Sequence, residues 1–331
     1  MDVDAYAAAH VAQWQRLKHL LGRGRLSGPE ADELVMLYQR TATHLSAIRS
    51  TSPDPTLVGE LSTLVAQARS AVTGSHTPAW RDAARFLVVG FPAACYRTRR
   101  WSLGVAVGVL AVAWLIGAWV AGNPEVQATI AAPEEIRRLV EQDFEAYYSS
   151  DPAGSFAARV WTNNAWVAAL CLVSGILLVP VVLILWVNTL NLGVTAGLMA
   201  SADRLDLFFG LITPHGLLEL TAVFVAAGAG LRLGWTLVDP GPRSRSDAVA
   251  AEGRATVGMA LGVAIVLLVS GVIEAFVTPS GLPTWARVGI GVLAEAAFLA
   301  YVVLLGRRAA AAGETGDVTA AEVGDRAPST G

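Results

Sequence analysis

Along the first 100 residues apolar positions recur at helical spacing, for example Leu34, Leu37, Tyr38, Leu45 and Ile48, with polar residues between them. That period predicts amphipathic helices that bury one face against each other. Ser27-Gly28-Pro29 supplies an N-cap with proline in the first turn, and Ser52-Pro53-Asp54-Pro55 separates the second helix from a third over roughly 56–73. Residues 1–76 are therefore expected to form a small helical domain. From Thr77-Pro78-Ala79-Trp80 the pattern changes, as Trp80, Phe86, Leu87 and Phe91 alternate with Arg81 and Arg85 and are followed by Arg97, Arg99 and Arg100. Over 77–100 this mixture predicts a helix lying in a membrane interface, although an ordinary amphipathic packing helix fits the same residues.

Beyond Arg100 the polar positions give way to long apolar runs. The first, Trp101 to about Ala121, matches the roughly 20 residues that a bilayer core requires. Residues 160–202 form an apolar stretch about twice that length, with Pro180 near its middle and Asn188 and Asn191 beyond. It predicts two spans joined by a very short turn, or one span followed by a re-entrant element. Further spans are expected at about Phe208–Trp235, Thr256–Val277 and Val288–Leu305. The fold class that follows is all-α, a polytopic membrane bundle of about six transmembrane helices over 101–308 behind an N-terminal cytoplasmic helical segment. The loop at about 122–160 carries an amphipathic helix from Pro133 to about Tyr148, and the Ala- and Gly-rich tail 309–331 is expected to be disordered.

Charge orients this bundle. Arg97, Arg99 and Arg100 precede the first span, Arg243, Arg245 and Arg254 lie between the fourth and fifth, and Arg307 and Arg308 follow the sixth. The positive-inside bias places all three groups, and both termini, in the cytoplasm, with the acidic 122–160 loop on the outer side. Asp4, His10, Arg16, Lys18, Arg23 and Arg25 interrupt the first 30 residues, so no signal peptide is expected and the first span would direct insertion. A content of 54% hydrophobic and 15% charged residues, with a mean hydropathy of +0.50, agrees with a lipid-embedded chain. A net charge of -3 argues against nucleic acid as a partner. Cys95 and Cys171 are the two cysteines, too far apart for a zinc or redox pair, and read as small packing residues.

Ionisable residues at membrane depth mark the candidate chemistry, because each costs about +2.5 to +3.5 kcal/mol there unless paired or hydrated. His215 and Glu219 share one helix face four residues apart, Glu274 lies in the fifth span and Glu295 in the last. All four fall in the outer half of the bundle, which predicts either one convergent polar site with His215 bonded to a carboxylate, or separate contacts that fix helix register. A single histidine is thin for zinc, so no metal or cofactor is assigned. Small residues recur four apart at Gly104 and Gly108, Gly193 and Gly197, Gly230 and Gly234, and Gly258 and Gly262. Such pairs permit close backbone approach, within the bundle or between copies of the chain. No phosphate loop, His-Glu-x-x-His or Gly-x-Ser-x-Gly motif occurs, and no enzymatic activity is expected.

Pro214-His215-Gly216-Leu217-Leu218-Glu219, then Ala226-Ala227-Gly228-Ala229-Gly230-Leu231-Arg232-Leu233-Gly234, then Ile273-Glu274-Ala275-Phe276-Val277-Thr278-Pro279 stand in order on consecutive spans. With Asn163-Asn164 and Asn191-Leu192-Gly193, they resemble the stage II sporulation protein M family over roughly residues 80–308. The helices before them resemble the extension of actinobacterial members. The resemblance implies a membrane anchor or scaffold for cell-envelope, peptidoglycan-remodelling partners, since the family's named member is the polytopic component of such a complex at the sporulation septum. His215, Gly216, Glu219, Glu274 and Pro279 match its motif positions, and no catalytic residues come with it. The alternative reading is a permease or the membrane subunit of an exporter, drawn from the six spans and their buried carboxylates.

Overall fold

A computed structural model describes residues 3–23, 26–51, 55–72, 79–148 and 152–316, and these are helical with short connections and no strand among them. The chain divides into two compact units, residues 1–82 and 83–331.

In the first unit α1 (Val3–Leu21), α2 (Gly28–Thr51) and α3 (Pro55–Val72) bury the apolar stripe read from the sequence. Leu34, Leu37, Leu45 and Ile48 are buried against Trp14, Leu17, Leu20 and Leu61, while Tyr38 is partly covered. The start of α2 is held by the Glu30 carboxylate, which accepts from the backbone N–H (2.9 Å) and hydroxyl (2.8 Å) of Ser27. Residues 52–54 and 73–78, with the breaks expected there, lie outside the described residues.

Two polar groups in this core make it sensitive to pH. The Trp14 indole N–H donates to Nδ1 of buried His44 at 3.1 Å, an acceptor that a protonated imidazole does not offer. Burial, then the adjacent His10 and Arg40, hold His44 below the usual histidine pKa. Below about pH 6.5 the unfolded chain takes up a proton that the folded imidazole resists, so stability is full above that pH and declines beneath it. Amide exchange in α1 and α2 is expected to be faster at pH 5.5 than at pH 7.5, and the difference to shrink in His44→Gln. An unchanged exchange pattern across that range would contradict the assignment.

Among the described residues six helices are long and apolar enough to cross a bilayer, the first running without interruption from Trp80 to Gly122. That helix comprises α4 (Ala79–Arg85), a π-helical turn (Phe86–Gly90) and α5 (Phe91–Gly122). The segment expected to lie separately in the interface is thus continuous with the first span. Phe91, Ala94 and Cys95 are buried in the main apolar cluster, because the π-helical turn re-aims the stripe just before them.

Residues 160–202 resolve into two helices. α9 (Ala153–Val173) ends in a 3-10 turn (Ser174–Leu177), Leu178 takes φ 59°, and α10 (Val179–Ser201) begins with Pro180 in its first turn. Proline there starts a helix and interrupts none, since its missing N–H falls among donors that are free anyway. Asn188 bonds back to the carbonyl of Ile184 at 2.8 Å and so remains inside regular helix. α11 (Leu205–Val238), α12 (Arg245–Phe276) and α13 (Thr284–Ala311) complete the bundle. α12 starts well before the apolar run, where the Ser244 hydroxyl accepts from the Asp247 N–H at 3.1 Å. The last helix runs on to Ala311, and the tail from 317 lies outside the described residues.

α11 occupies the middle of the bundle. Ala222, Ala226, Ala227 and Ala229 on it are almost fully buried, whereas α5, α10 and α13 expose Leu103, Trp114, Trp186, Leu293 and Leu304. Large apolar side chains on the outside and small ones within are the arrangement expected of a membrane protein, whose helices gain by close backbone packing. At one end of the bundle α6 (Pro124–Ile130), α7 (Pro133–Arg138), a π-helical turn (Leu139–Asp143) and α8 (Phe144–Ala146) fold back across it. Val140 packs there with Met199 and Phe208, and Tyr148 with Phe156, Leu211 and Ala275. This is the helix anticipated from Pro133 onward, anchored by its apolar face.

Candidate functional site: a polar pocket between α11 and α12

Pro214 removes one backbone donor from α11 one residue before His215. Around this point the helix is supported from outside, the Ser270 hydroxyl of α12 donating to the His215 carbonyl at 3.0 Å. Gly216 follows, and one turn on from His215 the Glu219 side chain emerges on the same face. Glu274, two residues before the end of α12, faces them. The imidazole and the two carboxylates bring one potential ligand atom each to within 4.8 Å of the others. His215 Nε2 stands 3.8 Å from Glu274 Oε1, and its Nδ1 lies 3.2 Å from the hydroxyl of Thr278. The imidazole is therefore bonded to a hydroxyl, with the carboxylate just beyond hydrogen-bond distance. Oε2 of Glu274 is buried and accepts no hydrogen bond.

These groups line a pocket of about 510 Å³ together with Asn163 and Asn164 of α9 and with Tyr147, Tyr148 and Arg159. The Tyr148 ring lies over His215 at a centroid distance of 5.7 Å. Burial, then the Glu274 carboxylate, push the Tyr148 phenol well above its ordinary pKa, so it stays a neutral hydroxyl throughout the physiological range. Asn163 and Asn164 belong to the motif residues singled out from the sequence, and here they share one cavity with its histidine and acids.

Glu295, the fourth residue expected at this site, is elsewhere. On α13 it accepts from the Thr221 hydroxyl at 2.9 Å, and its other oxygen is buried without a partner. Thr221 is two residues beyond Glu219 on α11, and an offset of two turns a side chain to the other side of a helix. Depth in the span was readable from sequence, but rotation about the helix axis was not.

A second charged cluster, at the opposite end of the bundle, was not anticipated. Arg97 of α5 donates two parallel hydrogen bonds to the Glu252 carboxylate of α12, both 3.0 Å. Nε of Arg232 on α11 stands 3.1 Å from the same carboxylate, and its terminal nitrogen donates to the Arg97 carbonyl at 2.6 Å. Glu252 retains 3% side-chain exposure. The available signal was Arg232, an ionisable residue inside the run Phe208–Trp235 that belonged with the other four.

The glycine pairs divide. A Cβ on Gly193 or Gly197 would fall 2.8 and 2.7 Å from the carbonyls of Ala113 and Gly117 on α5, and one on Gly230 or Gly234 would strike the backbone of Cys171 or Gly175. Gly262 faces the Phe91 ring and Gly258 is also buried. Gly104 and Gly108 instead meet open space.

Two family models match the chain. One, described as Stage II sporulation protein M, covers residues 106–279 and so takes in His215, Glu219 and Glu274 and more than half of the 331 residues. The other, Domain of unknown function (DUF8413), covers residues 4–74, the helices of the first unit. No curated protein and no solved structure matches. With His215, Glu219, Glu274, Asn163 and Asn164 lining one pocket and the family match running from within the first of its membrane-length helices to the end of the fifth, this integral membrane protein belongs to the stage II sporulation protein M family.

Proposed function

We propose that the protein is a non-enzymatic membrane scaffold that holds cell-envelope partners, of the peptidoglycan-remodelling kind, against the face formed by residues 124–148. The observation that carries this reading is how that segment is mounted. Val140 and Tyr148 anchor it on α10 and α11, while Glu134, Glu135, Arg137, Arg138, Glu141 and Glu145 remain exposed. A charged surface held by buried aromatic and aliphatic anchors is pre-organised, which lowers the ordering cost of docking a partner. The charge bias of the loops favours placing this face outside the cytoplasm, where envelope substrates lie.

The permease reading draws on the acidic pocket, but the interior beyond it supports scaffolding better. Between Glu219 and Arg232 the buried face of α11 is Ala222, Val225, Ala226 and Ala229, packed against Met259, Val263 and Leu267 of α12. Polar groups at the two ends are thus separated by a close-packed apolar layer.

Photo-crosslinkers at Glu134 and Glu141 in native membranes are expected to capture envelope-remodelling proteins. Reversing Glu134, Glu135 and Glu141 to Lys is expected to reduce that capture severalfold without changing protein level. Recovery of lipid alone at both positions, with no envelope protein, would overturn the proposal.

A further inference from the structure

The three groups of the pocket form a donor set as well as a polar contact. One imidazole nitrogen and two carboxylates are the ligand types that bind zinc and its first-row neighbours. Tetrahedral zinc, with bonds of about 2.0–2.2 Å, sets its ligand atoms about 3.3–3.6 Å apart. His215 Nε2 and Glu274 Oε1, at 3.8 Å, are close to that spacing, and the whole set lies within 4.8 Å. Glu274 Oε2, buried and without a hydrogen-bond donor, is the observation that asks for a ligand. A carboxylate oxygen with no donor in an enclosed site is costly unless a cation or proton meets it. His215 is already oriented for the task. Its Nδ1 is occupied by the Thr278 hydroxyl at 3.2 Å, which leaves Nε2 directed at the carboxylates, the usual support for a metal-bound imidazole. The remaining cavity has room for a water as the fourth ligand.

We infer that His215, Glu219 and Glu274 bind one divalent transition-metal ion, with Thr278 as a positioning residue. The ion cross-links α11 to α12 and neutralises two neighbouring carboxylates at membrane depth. This goes beyond the scaffold reading and does not depend on it, since a metal would bind whether or not envelope partners dock.

The test uses the full-length, tag-free protein purified in mild detergent, with zinc and cobalt(II) as probes. Zinc is expected to be retained at one equivalent through dialysis and to raise the apparent Tm, and cobalt is expected to give a visible absorption that saturates at one equivalent. His215→Ala and Glu274→Gln are expected to abolish retention, the Tm shift and the cobalt spectrum. Thr278→Val is expected to weaken binding about 10–100-fold. Glu295→Gln, whose carboxylate faces Thr221, is expected to behave as the parent. No retained zinc and no cobalt spectrum in the parent protein would overturn the inference, and that result stands whether or not any variant folds. Equal binding by the parent and a well-folded His215→Ala would overturn it as well.

Discussion

Glu252→Ala is expected to cost about 3–5 kcal/mol, the range for removing one partner from a buried ion pair. The side chain is 3% exposed and carries the full negative charge between two guanidiniums, bidentate to Arg97 and 3.1 Å from Arg232. Without it, two cations face each other in a half-buried site where water can reach only their outer edges. Since Arg97, Arg232 and Glu252 stand on α5, α11 and α12, the loss loosens three helices at once. Thermal unfolding in detergent measures the effect directly. Glu252→Gln keeps the volume and two hydrogen-bonding atoms, and is expected to fall between the parent and Glu252→Ala. Converting all three residues together to apolar side chains of similar size is expected to recover much of the loss, because the penalty comes from the orphaned charges. A Glu252→Ala protein with an unchanged Tm would show that the cluster is solvated and inert.

Gly230→Leu is expected to prevent correct assembly of the bundle. A Cβ at Gly230 would lie 2.1 Å from the Cys171 carbonyl oxygen and 3.3 Å from the Gly175 Cα, so even the first added carbon meets backbone that no rotamer change can move. Overpacking of ordinary cores costs about 1–3 kcal/mol. Here α9 must separate from α11 along its last turn, and its contacts there with Leu178 and the 3-10 turn go with it, which places the effect at the top of that range or above. Gly104→Leu is the matched control. It adds the same side chain on the open outer face of α5, where a Cβ meets nothing within 4 Å, and is expected to leave yield and monodispersity unchanged. The comparison is read by size-exclusion profile at equal expression. Equal behaviour of the two variants would contradict the packing assignment.

The expectations that failed share one geometry. Glu219 and Glu295 were grouped by depth, which the position along a span reveals. Their separation comes from which side of α11 each approaches, and the apolar runs contain no periodic signal for that, since lipid and protein interior are equally apolar surroundings. The same blindness explains the glycines. Gly104 and Gly193 look alike in sequence, yet one faces open space and the other the α5 backbone. Arg232 sits near the end of its run, where a basic residue ordinarily snorkels to the interface. Its partner Glu252 lies in a stretch of α12 outside the apolar window, so neither residue signals the other.

Length and hydropathy by themselves determine an all-helical membrane protein of about six spans behind an amphipathic helical segment, because burial of backbone polar groups in lipid favours helix for such long apolar runs, whereas the division of residues 160–202 into two helices was decided by the structure. The motif residues His215, Glu219, Glu274, Asn163 and Asn164 were likewise legible as candidates. Their assembly into one pocket, the exclusion of Glu295 from it, and the clamp of Arg97, Glu252 and Arg232 were decided by tertiary structure. Each depends on helix rotation and on pairing between helices far apart in the chain, set by steric fit among small residues and by the need of buried charges for partners.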